Sequence, residues 1–364
     1  MKIKDITNYL ERVAPLSYQE KYDNSGLIVG DKNVIAKGAL ITLDCTEAVI
    51  DEAIEKDCNL VIAHHPIIFK GLKKLNGGSY TERSVIKAIK NDIAIYAIHT
   101  NLDNVYNGVN SRIAEILEVK NCKILRPNST FIKQLVVYCP SVHAESLRES
   151  LLESGAGEFA SYDNCSFSVI GKGTFRPKKG SNPFSGKVGK IEKVVEERLD
   201  FFYNVKDEDM LLESLFRAHP YEQVAYQIYS LDNICTDIGS GMIGELEKEI
   251  EADKFLKYIK DRMQTHCIRH TRVYNKKIKK VAFCGGSGSF LLEDAKYRQA
   301  DIFISSDFKY HEFFDADNNL IIADIGHYES EQFTKNLIYD LLIKKFTKFA
   351  FRLSKVNTNP INYL

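Results

Sequence analysis

The segment NLVIAHHP at residues 59–66 is the part of the sequence that decides the fold. Residues 59–63 are mostly apolar and predict a buried strand, and two histidines and a proline follow it directly. In open α/β sheets, ligands bind beyond the carboxyl ends of the strands. This segment therefore predicts an α/β sheet with chemically useful side chains at one edge.

The sequence on both sides of this segment alternates between strand and helix patterns. Such alternation predicts mostly parallel sheets covered by helices. The predicted strands before residue 120 are 39–43, 59–63 and 93–98, and the helices are 46–57, 81–91 and 108–117. The alternation resumes later with helices 252–263, 291–298 and 328–344 and strands 280–283, 301–304 and 320–323.

The middle of the chain has a different pattern. Strand 134–138 and helix 145–154 are followed by a stretch rich in glycine, aromatic and turn residues, and then by helix 208–216 between strands 194–202 and 224–229. Two strand–helix–strand units of this size predict a ferredoxin-like α+β module. We therefore predict a discontinuous α/β domain, residues 1–128 and 237–364, with an inserted domain at residues 129–236.

Composition excludes several classes of function. The chain has 364 residues, with 49 basic and 49 acidic side chains, so it lacks the basic excess typical of a nucleic-acid binder. No apolar run reaches the length of about 18 residues that a membrane helix needs, and the first residues lack the apolar core of a signal peptide. The eight cysteines form no Cys-x-x-Cys pair, which favours free thiols and a cytoplasmic protein.

Three short polar segments each follow a predicted strand. They are AHHP at 63–66, HTNLD at 99–103 and GHYESE at 326–331. Because the carboxyl ends of strands face the ligand crevice, all three should point towards the same region. The predicted convergence, rather than any single segment, indicates a functional site.

The residue types in these segments are those of a metal site. His327 and Glu331 are four residues apart and share one face of a helix. Pro66 favours a turn after the strand, so His64 and His65 could each bind a different metal ion. The Asp103 carboxylate could bridge two cations, which lie roughly 3.5–4 Å apart in two-metal sites. Imidazole and carboxylate ligands suit Zn, Fe, Mn or Co. The lack of cysteine ligands argues against a purely structural zinc site.

Each segment alone also has an ordinary interpretation. A His-His-Pro sequence is usually a polar strand end, and a lone His-x-x-x-Glu pair usually lies on a helix surface. His99 could be a ligand, a proton shuttle or a hydrogen-bonded neighbour of a ligand. His311 is a weaker candidate for a general acid or base. Surface positions are expected for the remaining histidines, His143, His219, His266 and His270.

Three further segments allow two interpretations each. The glycine-rich stretch at 285–289 predicts either a tight turn between strand and helix or a phosphate-binding backbone. Residues 23–27 and 43–44 are more typical of turns than of polar groups that support a site. None of these segments decides the function alone.

Together, these segments resemble the NGG-one-interacting factor three-like family, whose members are also called GTP cyclohydrolase 1 type 2 homologs. The resemblance covers nearly the whole chain. It rests on YDNSGL at 22–27, HHP at 64–66, HTNLD at 99–103, GGSG at 285–288 and Gly326-His327 with Glu331. In the middle of the chain, GSNPF at 180–184 and AHPYE at 218–222 resemble the PII/CutA-like insert of the longer bacterial members.

This sequence departs from the family pattern at two positions. Tyr22 stands where the family commonly has tryptophan, and Ser306 where it usually has glycine.

The resemblance also implies an assembly and a metal site. The implied assembly is a ring-shaped homohexamer, and each subunit would hold two divalent metal ions. The implied ligands are His64, His65, Asp103, His327 and Glu331.

The implied reaction is metal-assisted hydrolysis, with opening of the GTP purine ring or related nucleotide hydrolysis as the candidates. His99 or His311 would move protons. Two alternatives remain open at this point. One is a phosphodiesterase or phosphatase, and the other is a metal-containing regulatory or adaptor hexamer that senses a small molecule through its insert.

Overall fold

The computed structural model describes residues 1–129, 131–158, 161–273 and 277–364. The chain forms two compact units. Met1–Pro127 and Thr236–Leu364 make up one, which we call the core unit, and Asn128–Cys235 make up the other, the middle unit. Among the described residues, no helix is both long and apolar enough to cross a bilayer.

The first part of the core unit alternates between strands and helices. Three of its strands are buried at every position, as expected for the centre of a covered sheet. The first helix buries Ile3, Ile6 and Leu10, which share one of its faces. The elements are α1 (Ile3–Val13), β1 (Gly26–Val29), β2 (Ala39–Thr42), α2 (Glu47–Glu55), β3 (Leu60–Ala63), α3 (Tyr80–Lys90), β4 (Ala94–Ala97), α4 (Thr100–Asp103), α5 (Val109–Ile116) and β5 (Lys120–Asn128).

The middle unit has one antiparallel sheet in the strand order β7–β8–β6–β9. Alternate residues of β6 and β8, among them Leu135 and Phe201, pack with the apolar faces of its two helices. Its elements are β6 (Ile132–Pro140), α6 (Ala144–Glu153), β7 (Ser166–Phe175), β8 (Glu192–Asn204), α7 (Glu208–Ala218) and β9 (Tyr226–Ser230).

The second part of the core unit begins with a long strand and ends with a short one. The described part of the core unit also has three segments of 3-10 helix, at Leu16–Tyr18, Ser289–Leu291 and Tyr310–Ala316. The elements are β10 (Cys235–Glu251), α8 (Ala252–Arg262), β11 (Arg269–His270), β12 (Lys277–Ser287), α9 (Leu292–Tyr297), β13 (Ile302–Ser306), β14 (Ile321–Asp324), α10 (His327–Glu331), α11 (Thr334–Lys345) and β15 (Phe351–Leu353).

The core unit contains two sheets. The first has the order β1–β4–β3–β2–β15 and is parallel except for the pair of β1 and β4. The second has the order β11–β14–β13–β12–β10–β5. Its β12, β13 and β14 are parallel, whereas β10 and β11 run antiparallel to their neighbours β12 and β14. The mixed α/β class is therefore confirmed, but "mostly parallel" describes only the first sheet.

The prediction of one helix over residues 328–344 is wrong. The chain forms α10 and α11, separated by a turn at residues 332–333. Because of this turn, the two helices can bury different sets of side chains. The first buries polar residues that include Glu331, whereas the second buries Leu337, Ile338 and Leu342. This break places the short helix, with its polar face, beside the site described next.

Candidate metal centre

His64 and His65 extend β3 beyond its last residue. Their backbone N–H groups donate to the carbonyls of Thr42 (3.3 Å) and Leu43 (3.0 Å), so both residues remain attached to the chain that continues β2. The His64 side chain is fully buried, and its Nδ1 donates to the Ile98 carbonyl at 2.8 Å. Since a carbonyl only accepts, the proton is on Nδ1 and the lone pair of Nε2 is free to bind a cation.

A carboxylate fixes the imidazole of His65 through its Nδ1 atom. Its Nδ1 lies 2.7 Å from Oδ1 of Asp44, and the other oxygen of Asp44 accepts a hydrogen bond from the Thr358 hydroxyl at 2.5 Å. The Nε2 of His65 lies 2.9 Å from Oε2 of Glu331. The C-terminal segment therefore helps to orient a histidine that lies almost 300 residues earlier in the chain.

His327 and Glu331 lie one turn apart on α10, as their spacing predicts. The Nε2 of His327 is 3.1 Å from Oε2 of Glu331, and its Nδ1 is 2.7 Å from Oδ2 of Asp307. The helix begins after Gly326, whose φ of +93° suits glycine. A Cβ there would lie 2.2 Å from a carboxylate oxygen of Glu329, so only glycine fits.

Asp103 and His99 come from the segment that follows β4. The Nδ1 of His99 lies 2.7 Å from Oδ1 of Asp23, and the ring centroid of His99 is 5.3 Å from that of His64. Asp103 ends the short helix α4, and its Oδ1 lies 3.6 Å from Nε2 of His64. Both residues thus reach the region that contains the other histidines.

The four histidines share one arrangement. Each has Nδ1 in a hydrogen bond to a carbonyl or carboxylate, which leaves Nε2 as the atom available to the centre. Histidines that bind metals usually have such a partner, which fixes the ring and the tautomer. Three groups have ligand atoms within 4.8 Å of one another. They are His64–His65–His99, His65–His327–Glu331 and His64–Asp103–Glu331.

Glycines of the segment 285–288 make room for the central carboxylate. A Cβ at Gly286, where φ is +63°, would lie 2.4 Å from Oε1 of Glu331, and the N–H of Gly286 donates to the Ser330 hydroxyl at 2.9 Å. These residues end β12. The close approach of a backbone to a functional side chain is therefore the reason for glycine here.

Neighbouring charges at the centre shift the pKa values of its carboxylates and histidines. Burial, reinforced by the charge of Glu331, raises the pKa of Asp103 well above its usual value. Burial opposes ionisation of Glu331 too, but the charge of His327 and hydrogen bonds from the histidines hold its pKa well below its usual value. Burial would lower the pKa of His65, yet its bonds to Asp44 and Glu331 raise it to about 10. The pKa of His327 is raised to about 11, because Glu331 and Asp307 outweigh its burial.

This donor set fits a divalent cation. The Nε2 of His64 and Oδ1 of Asp103 are both buried, and neither has a hydrogen-bond partner among the described residues. Buried polar atoms without partners are costly. A cation between them would satisfy both atoms, and it would provide the positive charge that protons on His65 and His327 otherwise supply. Imidazole nitrogens and carboxylate oxygens are ordinary ligands of Zn²⁺, Fe²⁺, Mn²⁺ and Co²⁺.

The structure thus brings together six of the seven residues that the sequence suggested. His64, His65, Asp103, His327 and Glu331 meet with His99. His311 belongs to none of the three groups among the described residues, and its ring contacts Tyr310 and Phe314 instead.

The supporting carboxylates were harder to find from the sequence. Asp23 and Asp44 lie in segments more typical of turns, and the structure shows both in hydrogen bonds to histidines of the cluster. Asp307, which supports His327, was not singled out at all. Its position directly after a buried strand was the only available signal.

Replacing Asp44 with asparagine is expected to weaken metal binding. The amide cannot offer His65 a carboxylate, so the ring loses its fixed tautomer and part of its basicity. Loss of such a supporting group typically costs 10–100-fold in metal affinity. Competition with a chromophoric chelator measures the affinity, and Asp51→Asn, on the exposed side of α2, is the matched control. Equal affinities in the two variants would contradict the assigned role of Asp44.

The fold and this cluster define a class of protein, α/β proteins with a histidine–carboxylate centre that could bind a divalent metal. Comparison with known proteins identifies the family. The profile of Duf34/NIF3 (NGG1p interacting factor 3) matches residues 1–360. The chain therefore belongs to the Duf34/NIF3 family, which confirms the resemblance noted in the sequence.

Curated relatives and solved structures match over their full lengths. The GTP cyclohydrolase 1 type 2 homolog of Bacillus subtilis (strain 168) is 37% identical over 367 residues, covering 99% of this chain and 98% of that protein. The homolog of Staphylococcus epidermidis is 34% identical and covers 100% of both chains. A Bacillus cereus protein related to NIF3 has a TM-score of 0.78 at 34% identity, covering 100% of this chain and 99% of that one.

Proposed function

We propose that this chain is a metal-dependent hydrolase that holds two divalent cations and acts on a nucleotide. The observation that carries the proposal is the position of Glu331. It belongs both to the group with His65 and His327 and to the group with His64 and Asp103. A carboxylate shared by two sets of ligands is the arrangement that a pair of cations needs. Glu331, rather than Asp103, is therefore proposed as the bridge.

A bound pair of cations would supply Lewis acidity, which polarises an electrophilic carbon or phosphorus and eases the ionisation of water. The chain would supply the proton transfer. His99 is the candidate, because its side chain is only 16% exposed and Asp23 fixes its ring. An imidazole held in this way at the edge of the centre is suited to donate or accept a proton.

Two aromatic side chains beside the centre support a substrate with a flat ring. Tyr22 and Phe69 are 64% and 46% exposed, and their ring centroids are 6.0 Å apart. The Phe69 ring also lies 6.2 Å from that of His99. Exposed aromatic rings stack on bases of any sequence. GTP, or a related nucleotide, is accordingly the substrate class that we propose.

The decisive experiment combines metal analysis with turnover. The full chain, loaded separately with Zn²⁺, Mn²⁺, Co²⁺ or anaerobic Fe²⁺, is incubated with GTP and with a panel of phosphodiesters and phosphomonoesters. We expect two ions per chain and release of formate from GTP or cleavage of another nucleotide. His64→Ala should abolish turnover, whereas His270→Ala, at an exposed histidine outside the cluster, should retain it. Absence of turnover with every metal and substrate would refute the hydrolase proposal.

Replacing Phe69 with alanine is expected to raise KM for a nucleotide by about 5- to 100-fold, since stacking on an aromatic ring contributes about 1–3 kcal/mol. The catalytic constant should change less, because Phe69 is not among the metal-ligating groups. Steady-state kinetics measures both constants. The control is Leu75→Ala, which removes an apolar side chain that is 50% exposed and lies in the same loop. An unchanged KM in Phe69→Ala would argue against stacking.

The family resemblance supports three further proposals. The middle unit is proposed to be a PII/CutA-like, ferredoxin-like insert, as its β–α–β–β–α–β order suggests. The chain is proposed to form a homohexamer, which light scattering of the metal-loaded and metal-free protein would test. A cytoplasmic location is proposed, and the free state of all eight cysteines supports it.

A further inference from the structure

The middle unit contains a cavity that the proposed hydrolase function does not use. Its volume is about 830 Å³, within the range of small-molecule sites. Two segments that the sequence analysis singled out, GSNPF at 180–184 and AHPYE at 218–222, both contribute to its wall. Segments almost 40 residues apart thus meet around one concave space.

Aromatic rings form one wall of this cavity. The ring centroid of Tyr221 lies 5.9 Å from that of Phe175 and 6.0 Å from that of Phe184. The Phe184 side chain is 53% exposed, so part of its surface is available to a ligand. Such a wall offers flat apolar surface on which another ring could stack.

Tyr221 is held in place by its neighbours. Its hydroxyl donates to Oε1 of Glu196 at 2.9 Å, and its backbone N–H donates to Nδ1 of His219 at 3.0 Å. The Nε2 of His219 in turn donates to the Tyr138 carbonyl at 3.0 Å. The prediction that His219 lies at the surface is wrong, since its side chain is only 6% exposed. The ring is buried because both of its nitrogens form the hydrogen bonds that fix this wall.

Positive side chains also line the cavity. Arg176, Lys178 and Lys179 lie on one turn, which is closed by the bond from the Ser181 hydroxyl to the Lys178 carbonyl at 2.7 Å. Within the described part of the chain, none of these three cations takes part in an ion pair. They are exposed and therefore free to bind an anion.

The two carboxylates of the wall form no ion pair with these cations among the described residues. Glu196 accepts the hydroxyl of Tyr221, and both oxygens of Glu222 lie 3.1 Å from the backbone nitrogen of Asn182. Each carboxylate is thus engaged with a group of the wall itself. The lining carries three formal positive and two formal negative charges, and the three cations, without an ion-pair partner among the described residues, are available to an anion.

We propose that this cavity binds a phosphorylated molecule with a flat ring, of the size of a nucleoside monophosphate. The ring would stack on Phe184 and Tyr221, and the phosphate would lie against the turn that carries Arg176, Lys178 and Lys179. A phosphate monoester carries a charge of roughly −1.5 to −2 at neutral pH, which matches several cations better than a carboxylate does. Binding here is independent of the metal centre, because every lining residue belongs to the middle unit.

Calorimetry on the full chain tests this proposal. The Asp103→Ala variant is used in EDTA throughout, so that the metal centre does not contribute a nucleotide site. We expect GMP or AMP to bind once per chain. Guanosine and ribose 5-phosphate, each of which lacks half of the recognised chemistry, should bind at least about tenfold more weakly.

Variants of the wall locate the binding. In the same background, Phe184→Ala and the double variant Arg176→Ala with Lys178→Ala are each expected to weaken GMP binding by about tenfold or more. Their matched controls are Phe167→Ala and Lys172→Ala, exposed residues of β7 that do not line the cavity. Both controls should bind GMP as the parent does.

Three results would overturn the proposal. One is the absence of binding of GMP and AMP at millimolar concentration, and another is binding that neither set of wall variants weakens. The third is an equal loss in the controls, which would show a general effect of charge or apolar surface. Because the replaced side chains are exposed, the variants should fold. Lys178→Glu provides a second test by reversing one charge of the turn.

Discussion

Replacing Glu331 with glutamine is expected to remove metal from the centre and to abolish hydrolysis. Its carboxylate contacts His65, His327 and His64, at 2.9, 3.1 and 3.8 Å. Glutamine keeps the size of the side chain but lacks the charge that two cations share. We expect metal affinity to fall by more than about 100-fold, which is the upper end of what loss of a supporting group costs.

Glu329 offers a matched control for this variant. It lies on the same short helix, and it is also buried, but its Oε1 accepts from the Asn359 amide rather than from a histidine. Glu329→Gln should therefore retain both metals. Metal content by elemental analysis, after equilibration at a fixed free metal concentration, compares the two variants. Equal loss in both would mean that the helix was disturbed, and Glu331 would then not be established as a ligand.

The apparent pKa of the histidines gives this variant a second readout in the metal-free protein. The charge of Glu331 and its hydrogen bonds help to raise the pKa of His65 to about 10 and that of His327 to about 11. Without that charge, both values should fall, since burial then opposes protonation. NMR titration of the imidazole resonances would detect the change. Unshifted resonances would contradict the close contacts on which the proposed bridge depends.

The candidate ligand residues could be predicted because local rules place them. His64 and His65 follow a buried strand, and His327 and Glu331 have the spacing of one helical turn. Ligands bind beyond the carboxyl ends of strands in open α/β sheets, so each segment could be marked as a candidate from its position alone. Their identification therefore needed only strand ends and helical periodicity. Because β3 and β14 belong to different sheets, the segments meet where the ends of two sheets approach each other, which strand ends alone do not specify.

The supporting groups could not be predicted in the same way. Asp44 and Asp23 meet their histidines across 21 and 76 residues, and no periodicity in the sequence relates such pairs. Asp307 adopts a φ of +61°, a conformation that non-glycine residues seldom adopt, and the sequence gives no sign of it. Hydrogen bonds between loops depend on the complete tertiary structure.

Two errors in the fold have a similar origin. The strand β7 was missed because most of its residues are exposed and the alternation of polar and apolar residues at its start is interrupted by Gly171 and Gly173. The strand β10 was not predicted either, and its antiparallel direction relative to β12 is set by pairing across the sheet, which a sequence pattern alone does not specify. Exposed and antiparallel strands were thus less predictable than buried parallel ones.

Replacing His99 with glutamine is expected to leave the metals bound while turnover falls by about 10²–10⁴-fold, the range for loss of a general acid or base. His99 contacts neither carboxylate of the centre within salt-bridge distance among the described residues, and its nearest carboxylate is Asp23. Asp23 also accepts hydrogen bonds from the backbone and hydroxyl of Thr100, so it stays ionised and fixes the imidazole. Single-turnover kinetics with measured metal content separates chemistry from binding.

The same variant decides between the roles that the sequence left open for His99. If His99 is a ligand, as its group with His64 and His65 allows, metal content and turnover fall together. If it moves a proton, added imidazole should restore part of the turnover lost in the companion variant His99→Ala, because alanine leaves the space of the ring open to a small base. Asp23→Asn should then give a smaller loss that imidazole does not restore, since the ring is present but poorly oriented. The combination of full metal content, reduced turnover and rescue by imidazole is expected only of a proton-transferring His99.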